Sequence, residues 1–494
     1  MDILSKLKKY IANNKYWAIV LVVLLFCLAI CAYVIKHEYY IFSLSILVLP
    51  IIYLMIYHTE SMFYLTCFLI PFSVELRAII PTVGASFSIP CELLLAGFMF
   101  LFFITVILNH CYPKVLASHK ISLMFYFYIF WLLVTSIIST MPIVSFKFLL
   151  AKLWFVIPAY FFLSALLLKD INKASSFFLC YASGLAIIVC ITTYKHIAWA
   201  DVRKVAYWVM SPYYNDHTAY GAILAFFTPI LALLPAVKSL PKWKKCLSLI
   251  LLIPTLLGLY LSFSRAAWLS LCVAIGVYVI ILLKIKFKVL LLAIVTFLGL
   301  LFAFQDTLVQ QLNKNNNDAD VGNLATHIQS ITNITTDASN VERLNRWSAA
   351  IAMFKEKPFF GFGPGTYQFQ YAPYQNSMYK TIITTNAGNG GNAHSEYLGA
   401  LSETGLLGML IVITLFLSVI ILGMKTCWNT QSNTLKYYSL MSVLALVSYC
   451  THGILNNFLD TEKLAVPVFG AMAIIVVCNI LSKTETTTKT DIDL

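Results

Sequence analysis

The sequence predicts an all-α polytopic membrane protein with about 12–14 transmembrane helices and one large loop outside the bilayer. Three observations predict it. The 494 residues are 60% hydrophobic and only 11% charged, which leaves far less charged surface than a soluble globule carries. Apolar runs recur along the whole chain, each near the roughly 20 residues needed to cross about 30 Å of hydrocarbon. One polar stretch, from about Gln305 to Ala393, interrupts them.

The runs lie near 16–36, 39–57, 61–74, 89–109, 121–139, 144–168, 176–196, 217–236, 246–263, 266–283, 287–304, 396–424, 436–456 and 464–482. The first follows Lys8, Lys9 and Lys15. It is too long for the apolar part of a signal peptide and no small-residue cleavage site follows, so it is expected as a mature membrane helix. The third run is short, and almost nothing separates the ninth from the tenth. The count falls by two if either pair is re-entrant. We divide the chain into N-terminal transmembrane helices (1–196), a transmembrane core (197–482) that includes the polar loop 305–393, and a tail (483–494).

Orientation follows from lysine. With the N-terminus in the cytoplasm, the cytoplasmic loops hold Lys114 and Lys120; Lys169 and Lys173; Lys238, Lys242, Lys244 and Lys245; Lys284, Lys286 and Lys288; Lys425 and Lys436. This is the positive-inside pattern. It accounts for the net charge of +13 without a nucleic acid, for which no basic, aromatic-interleaved soluble domain is present. Most of the twelve cysteines, among them Cys27, Cys180, Cys190, Cys272, Cys450 and Cys478, sit in apolar runs, where cysteine behaves as a small hydrophobe. No C-x-x-C pair exists to suggest zinc.

The chain has only five arginines, Arg77, Arg203, Arg265, Arg343 and Arg346, and this topology puts all of them outside. Arginine binds phosphate bidentately through its planar fork; a solvated arginine or one paired with a nearby acid is the competing explanation for each. Arg265 stands between two apolar runs in Leu261-Ser-Phe-Ser-Arg265-Ala-Ala-Trp268, and an ionisable residue at that depth points to function.

Within the polar loop, residues 312–340 are rich in Asn, Asp, Thr and Ser, a composition that favours mobility. Ser339-x-x-Glu342 then reads as a capping box. Val341, Leu344, Trp347, Ile351 and Phe354 form an apolar stripe at helical spacing, and Lys357-Pro358 ends the helix. Arg343 and Arg346 share a face beside that stripe. Such a helix lies on the membrane surface or caps a cavity. Gly361, Gly363 and Gly365 follow as a tight turn, and Asn386-Ala-Gly-Asn-Gly-Gly-Asn392 leads into His394.

Three polar clusters are expected at helix mouths: Asn215-Asp216-His217, Ser264-Arg265, and His394-Ser-Glu396-Tyr397 with Glu403 two turns deeper. Asp460 is a further candidate for this group. A histidine at a helix mouth is more often interfacial than catalytic; His394 gains weight from its position between a Gly/Asn hinge and an apolar helix. Asp318-Ala-Asp320 resembles the D-x-D metal site of nucleotide-sugar transferases, but no strand–helix alternation surrounds it. Gly361-x-Gly363-x-Gly365 has the wrong spacing for a dinucleotide fingerprint. The sequon Asn333-Ile-Thr335 carries no information without a secretory context.

Together these motifs resemble the O-antigen ligase and polymerase superfamily. Ser264-Arg265-Ala-Ala-Trp268 is similar to its S-R-x-x-W-L stretch. Glu342-Arg343-Leu-x-Arg346-Trp347 with Pro358-x-x-Gly361-x-Gly363 is similar to its outer-loop motif. Asn392-Ala-His394-Ser-Glu396-Tyr397-x-x-x-Leu401-x-Glu403-x-Gly405 is similar to its H-x-x-x-L box and its His-ten-residues-Gly spacing, and Phe458-Leu-Asp460 to its late acidic residue. The resemblance covers roughly 200–475; the N-terminal third matches only in hydropathy.

The resemblance implies a GT-C-like membrane glycosyltransferase in the bacterial inner membrane, with its active site facing the periplasm. Its donor would be a glycan on undecaprenyl diphosphate and its acceptor lipid A–core or another hydroxyl. No cofactor or metal is implied. His394 is then the general base, Arg265 the first diphosphate ligand, and Glu396, Glu403 or Asp460 orients the base. Arg203, Arg343, Arg346, Asn215, His217, Trp347 and Tyr397 are expected to bind substrate. The motifs do not separate ligases from polysaccharide polymerases or protein O-glycosylation enzymes. A lipid-linked glycan transporter explains the spans equally well. Transporters, however, tend to show internal repeats and broken helices at the midplane, and no repeat is visible here.

Overall fold

The computed structural model describes residues 48–76, 87–109, 112–199, 205–285, 338–377 and 391–490. The expected spans 16–36 and 287–304, Arg77, Arg203, Asp318-Ala-Asp320 and the sequon at Asn333 lie outside the described residues.

Helices dominate. In chain order they are α1 (Val48–Tyr57), α2 (Thr59–Leu69), α3 (Cys91–Asn109), α4 (Lys120–Ile137), α5 (Pro142–Val156), α6 (Leu163–Lys169), α7 (Lys173–Ile197), α8 (His217–Leu233), α9 (Lys242–Leu261), α10 (Arg265–Leu282), α11 (Ala338–Glu356), α12 (Glu396–Asn429), α13 (Asn433–His452) and α14 (Glu462–Thr490). A π-helical turn over Ile157–Phe162 joins α5 to α6. The strands are two residues each, β1 (Val74–Glu75) antiparallel to β2 (Ser88–Ile89). Among the described residues nine helical segments are long and apolar enough to cross a membrane. The chain is therefore an all-α polytopic membrane protein. The short third run forms α2, 11 residues closed by a 3-10 turn at Ile70–Phe72. The ninth and tenth runs form two full-length helices, α9 and α10, separated by Ser262, Phe263 and Ser264. Phe263 turns the chain there with a positive φ of 47°.

Burial is inverted relative to a soluble protein at the periphery. Ile107 of α3, Ile253 of α9 and Leu282 of α10 lie exposed, as an outward face toward lipid requires. The centre is α13 and α14. α14 is buried along nearly its whole apolar length. α13 packs against α8, α10, α12 and α14 through small and hydroxylated residues. Ser270 and Ser448 lie 3.1 Å apart, and Ser439 donates to the Gly423 carbonyl at 3.0 Å. Small residues let helix backbones approach where lipid supplies no hydrophobic drive between helices.

The two ends of this bundle differ in chemistry. At one end Lys244 reaches the hydroxyls of Ser175 and Ser176 at 2.9 Å each. Ser239 bonds there to Asn172 and Thr434, which stand beside the starts of α7 and α13. The opposite ends of α8, α10, α12 and α13 carry His217, Arg265, Glu396 and His452. The end marked by Lys244 thus differs from the end that carries His217, Arg265 and His452.

α11 corrects two expectations. Its buried face is Glu342, Asn345, Arg346, Ala349, Ala350 and Met353. The apolar stripe of Val341, Leu344, Trp347, Ile351 and Phe354 is only partly buried, with Ile351 exposed. The helix turns its polar edge inward because Arg346 finds partners there. Ser339 lies inside the helix rather than ahead of it, and Glu342 pairs with Arg346 rather than closing a capping box. The helix does end at Glu356, just before Lys357-Pro358.

Candidate functional site

The site is assembled around a break in α12. Gly405 has φ 71° and ψ −174° inside the helix, a conformation open only to glycine without strain. The break frees three carbonyls of the preceding turn, and each acquires a donor from elsewhere. Phe362 N–H donates to Ser402 O at 3.0 Å, Gly363 N–H to Glu403 O at 2.8 Å, and Trp131 Nε1 to Thr404 O at 3.0 Å. Leu406 N–H returns a bond to Pro358 O at 3.0 Å. The glycine-rich loop after α11 is thereby laid backbone to backbone on the broken helix. A Cβ on Gly361 would meet the Glu403 carbonyl carbon at 2.4 Å, and one on Gly405 would meet Phe359 O at 2.1 Å. Gly361, Gly363 and Gly365 all have positive φ. This is why those residue types stand at that spacing.

His394 stands two residues before α12 with φ 49°, a left-handed conformation that costs a non-glycine residue of order 1–3 kcal/mol and clusters at functional sites. Its backbone is held at both groups: its N–H donates to Asn392 Oδ1 at 3.1 Å, and its carbonyl accepts Trp347 Nε1 at 3.1 Å. Ser395 caps α12 through Leu398 N–H. Burial pushes the His394 imidazole down to about 4, helped by the nearby Arg343 and Arg346 charges and opposed by Asp216 and Glu342. At neutral pH it is an uncharged imidazole, able to accept a proton.

His217, at the start of α8, lies within electrostatic reach of Asp216, Arg343 and Arg265, with the Tyr207 ring edge-on at 4.6 Å. His452, at the end of α13, lies within reach of Asp216, Arg343 and His217. Residues from α8, α10, α11, α13 and the approach to α12 therefore converge. Of the sequence-derived set, Arg343 lies within electrostatic reach of both His217 and His394, and Arg265 within reach of His217. Arg203 lies outside the described residues.

Other expected members have different roles. Arg346 is 5% exposed, donates to Glu342 Oε1 at 2.7 Å and covers the Tyr371 ring at 4.0 Å, so it fastens α11 to the loop. Trp347 holds the His394 carbonyl. Tyr397 gives its hydroxyl to Cys450 O at 3.0 Å. Glu396 does not orient His394. One of its oxygens accepts from Tyr449, from Phe458 N–H at 2.7 Å and from Leu459 N–H at 2.8 Å, which fixes the chain between α13 and α14. Glu403 accepts Tyr367 N–H at 3.0 Å. Asp460 pairs with buried Lys152 at 2.9 Å. The acids beside His394 are Asp216 and Glu342 instead.

Asp460 and Glu403 open onto a cavity of about 1050 Å³, as do Asn215 and Asp216. The cavity wall also includes Asn392 and Ala393, the two residues preceding His394. Sequence reasoning missed His452 and Lys152. Lys152 carried a usable signal, a charge in the middle of an apolar run; His452 at a helix end carried little. Among the described residues no group of His, Cys, Asp and Glu gathers as metal ligands.

The arrangement defines a polytopic membrane protein with a cationic and imidazole-bearing site at one end of its bundle. Residues 248–413 match the family model described as O-antigen ligase, in line with the resemblance that the sequence motifs carry. The segment contains Arg265, Arg343, His394 and Gly405. The chain is also 25% identical over 236 residues to an uncharacterized protein of Haemophilus influenzae, covering 44% of this chain. It spans about half the length of that curated relative, 53%.

Proposed function

We infer that the chain is an O-antigen ligase-like glycosyltransferase. It moves a glycan from undecaprenyl diphosphate to an acceptor hydroxyl, lipid A–core in the first instance, at the outer face of the bacterial inner membrane. The observation that carries this reading is that Arg343 acts on both His217 and His394, and Arg265 on His217, within the segment that matches the O-antigen ligase model. Polymerases and protein O-glycosylation enzymes of the superfamily share that machinery and differ in acceptor.

In the proposed reaction the acceptor oxygen attacks the anomeric carbon, and the bond from that carbon to the lipid diphosphate breaks. The acceptor hydroxyl proton passes to the His394 imidazole. Negative charge gathers on the leaving diphosphate, where the Arg265 and Arg343 guanidiniums neutralise it without a metal. A single displacement inverts the sugar. Trp347 and Asn392 act as positioning residues that hold the His394 backbone, and Glu396 holds the 458–459 segment. The placement of His217, Arg265, His394 and His452 at helix ends also supports a transferase over a transporter, which needs its polar groups near the midplane.

The test is transfer from a lipid diphosphate donor in purified protein, with membrane insertion verified for each variant. His394→Ala is expected to lose about 10²–10⁴ in rate. Arg265→Lys is expected to fail as well, because an ammonium keeps the charge and loses the fork. Near-normal transfer by both His394→Gln and Arg265→Lys would remove the basis of this assignment.

A further inference from the structure

We propose that the cavity of about 1050 Å³ is the acceptor subsite and that it takes the uncharged terminal sugars of the acceptor, excluding phosphorylated ones. This rests on the transferase reading above. The volume is at the upper end of the roughly 300–1,000 Å³ that holds a drug-sized ligand, so a short oligosaccharide end fits. The cavity reaches Asp216 and the Asn392-Ala393 segment, which adjoin His217 and His394, while Arg265 and Arg343 are not on its wall.

The wall has the chemistry of sugar recognition. Glu462 is 1% exposed. One of its oxygens accepts the Ser73 hydroxyl, and the other is buried without a hydrogen-bond partner among the described residues. Asn457 Oδ1 is a second buried acceptor without a partner there, and Trp154 Nε1 a donor without one. All three residues line the cavity. A buried polar atom left unpaired costs about 1–3 kcal/mol, which a ligand hydroxyl removes, since it both donates and accepts. Trp154 adds a flat apolar face beside its N–H, matched to the apolar face of a pyranose ring.

Charge sets the exclusion. Glu75, Glu92, Asp216, Glu403, Asp460 and Glu462 face the cavity, against Lys147 and Lys463. Asp460 is compensated by Lys152, and Lys463 stands over the Tyr214 ring at 4.7 Å. A phosphate entering this wall meets the carboxylates of Glu75, Asp216 and Glu462, which form no ion pair among the described residues, and like charges brought together oppose binding.

The experiment uses the full-length protein in lipid nanodiscs. The probes are the core oligosaccharide released from the outer-membrane glycolipid of the producing cell, with its phosphates kept or removed, and the free donor repeat unit. Binding is read by saturation-transfer NMR, and transfer is assayed separately with the same variants. The dephosphorylated core is expected to bind at least about tenfold more tightly than the phosphorylated one. Trp154→Ala and Glu462→Gln are expected to weaken it about tenfold or more, and Trp154→Phe by less. In the transfer assay the same substitutions raise the acceptor KM and leave the donor KM unchanged. Equal binding of both core forms, binding of the donor repeat alone, or acceptor binding and KM indifferent to Trp154→Ala would overturn the proposal. Oligosaccharide binding without any transfer would leave the cavity assignment standing and overturn the transferase reading instead.

Discussion

Arg346 donates its Nε to Glu342 Oε1 at 2.7 Å, one helical turn away, and both side chains are about 6% exposed. The Arg346 carbonyl in turn accepts the Tyr367 hydroxyl at 2.8 Å. The pair therefore joins α11 to the glycine loop, and the loop to the broken helix that follows His394. Its neighbour Arg343 acts on all three histidines, whereas Arg346 acts on His394 alone among them.

Two arginines three residues apart are accordingly expected to fail differently. Removing one partner of a buried ion pair costs about 3–5 kcal/mol, so Glu342→Ala and Arg346→Ala should lower the thermal unfolding midpoint in detergent clearly. Arg343→Ala should keep a near-normal midpoint and lose transfer. An Arg346→Ala protein that is as stable as the parent but inactive would exchange these two roles.

The glycines give a second contrast. Gly405→Ala places a methyl group 2.1 Å from Phe359 O at a φ of 71°, and the loop must leave the helix. Little folded protein is expected in the membrane. Gly276 in α10 has nothing within 4 Å of an added Cβ, so Gly276→Ala should be neutral or stabilising by about 0.4–1 kcal/mol. Folded yield and midpoint of the two variants decide the matter.

The pH dependence follows from His394. Its acidity in the fold, near 4, lies below the ordinary histidine value. Protonation that stops a base therefore begins only as pH falls toward that value. Transfer should be flat from pH 8 to about 6 and fall below about 5. The unfolded chain takes up a proton at about 6.5, so the stability tied to this group is present above that pH and is lost progressively as pH falls from there to about 4. Arg343→Gln removes a nearby positive charge and should move the acid limb of residual activity upward. A limb near 6.5 in the unmodified protein would show that His394 is not the titrating base.

With guanidiniums serving the diphosphate, transfer is expected to survive EDTA. Full loss restored by magnesium or manganese would transfer the leaving-group role to carboxylates such as Asp460 and Glu403. In intact cells of a cysteine-free background, Lys355→Cys should react with an impermeant thiol reagent added outside, and Lys238→Cys should not. The reverse pattern would put the site in the cytoplasm.

Much of the architecture was legible because its signal is linear. Apolar length and lysine placement specify spans and ends, and twelve of the expected runs coincide with described helices. His394, Gly405 and Arg265 were legible because their neighbours carry a motif. The face of α11 was not. Hydrophobic periodicity selects Leu344, Trp347 and Ile351, yet the burial of Glu342 and Arg346 depends on tyrosines 21 to 29 residues further on, which no local pattern reveals. Glu396 looked like a partner of His394 because it is two residues away. A helix start points successive side chains in different directions, and its carboxylate turns toward α13 and the start of α14.

The distance from His394 to Gly405 is a gauge. Both ends are backbone positions with positive φ, 49° and 71°, and rigid helix fills the interval. One residue inserted there would swing the imidazole by about 100° and displace it about 1.5 Å along the helix. The polar loop and the chain termini can grow or shrink without disturbing this register. The interval itself tolerates changes of residue and none of length.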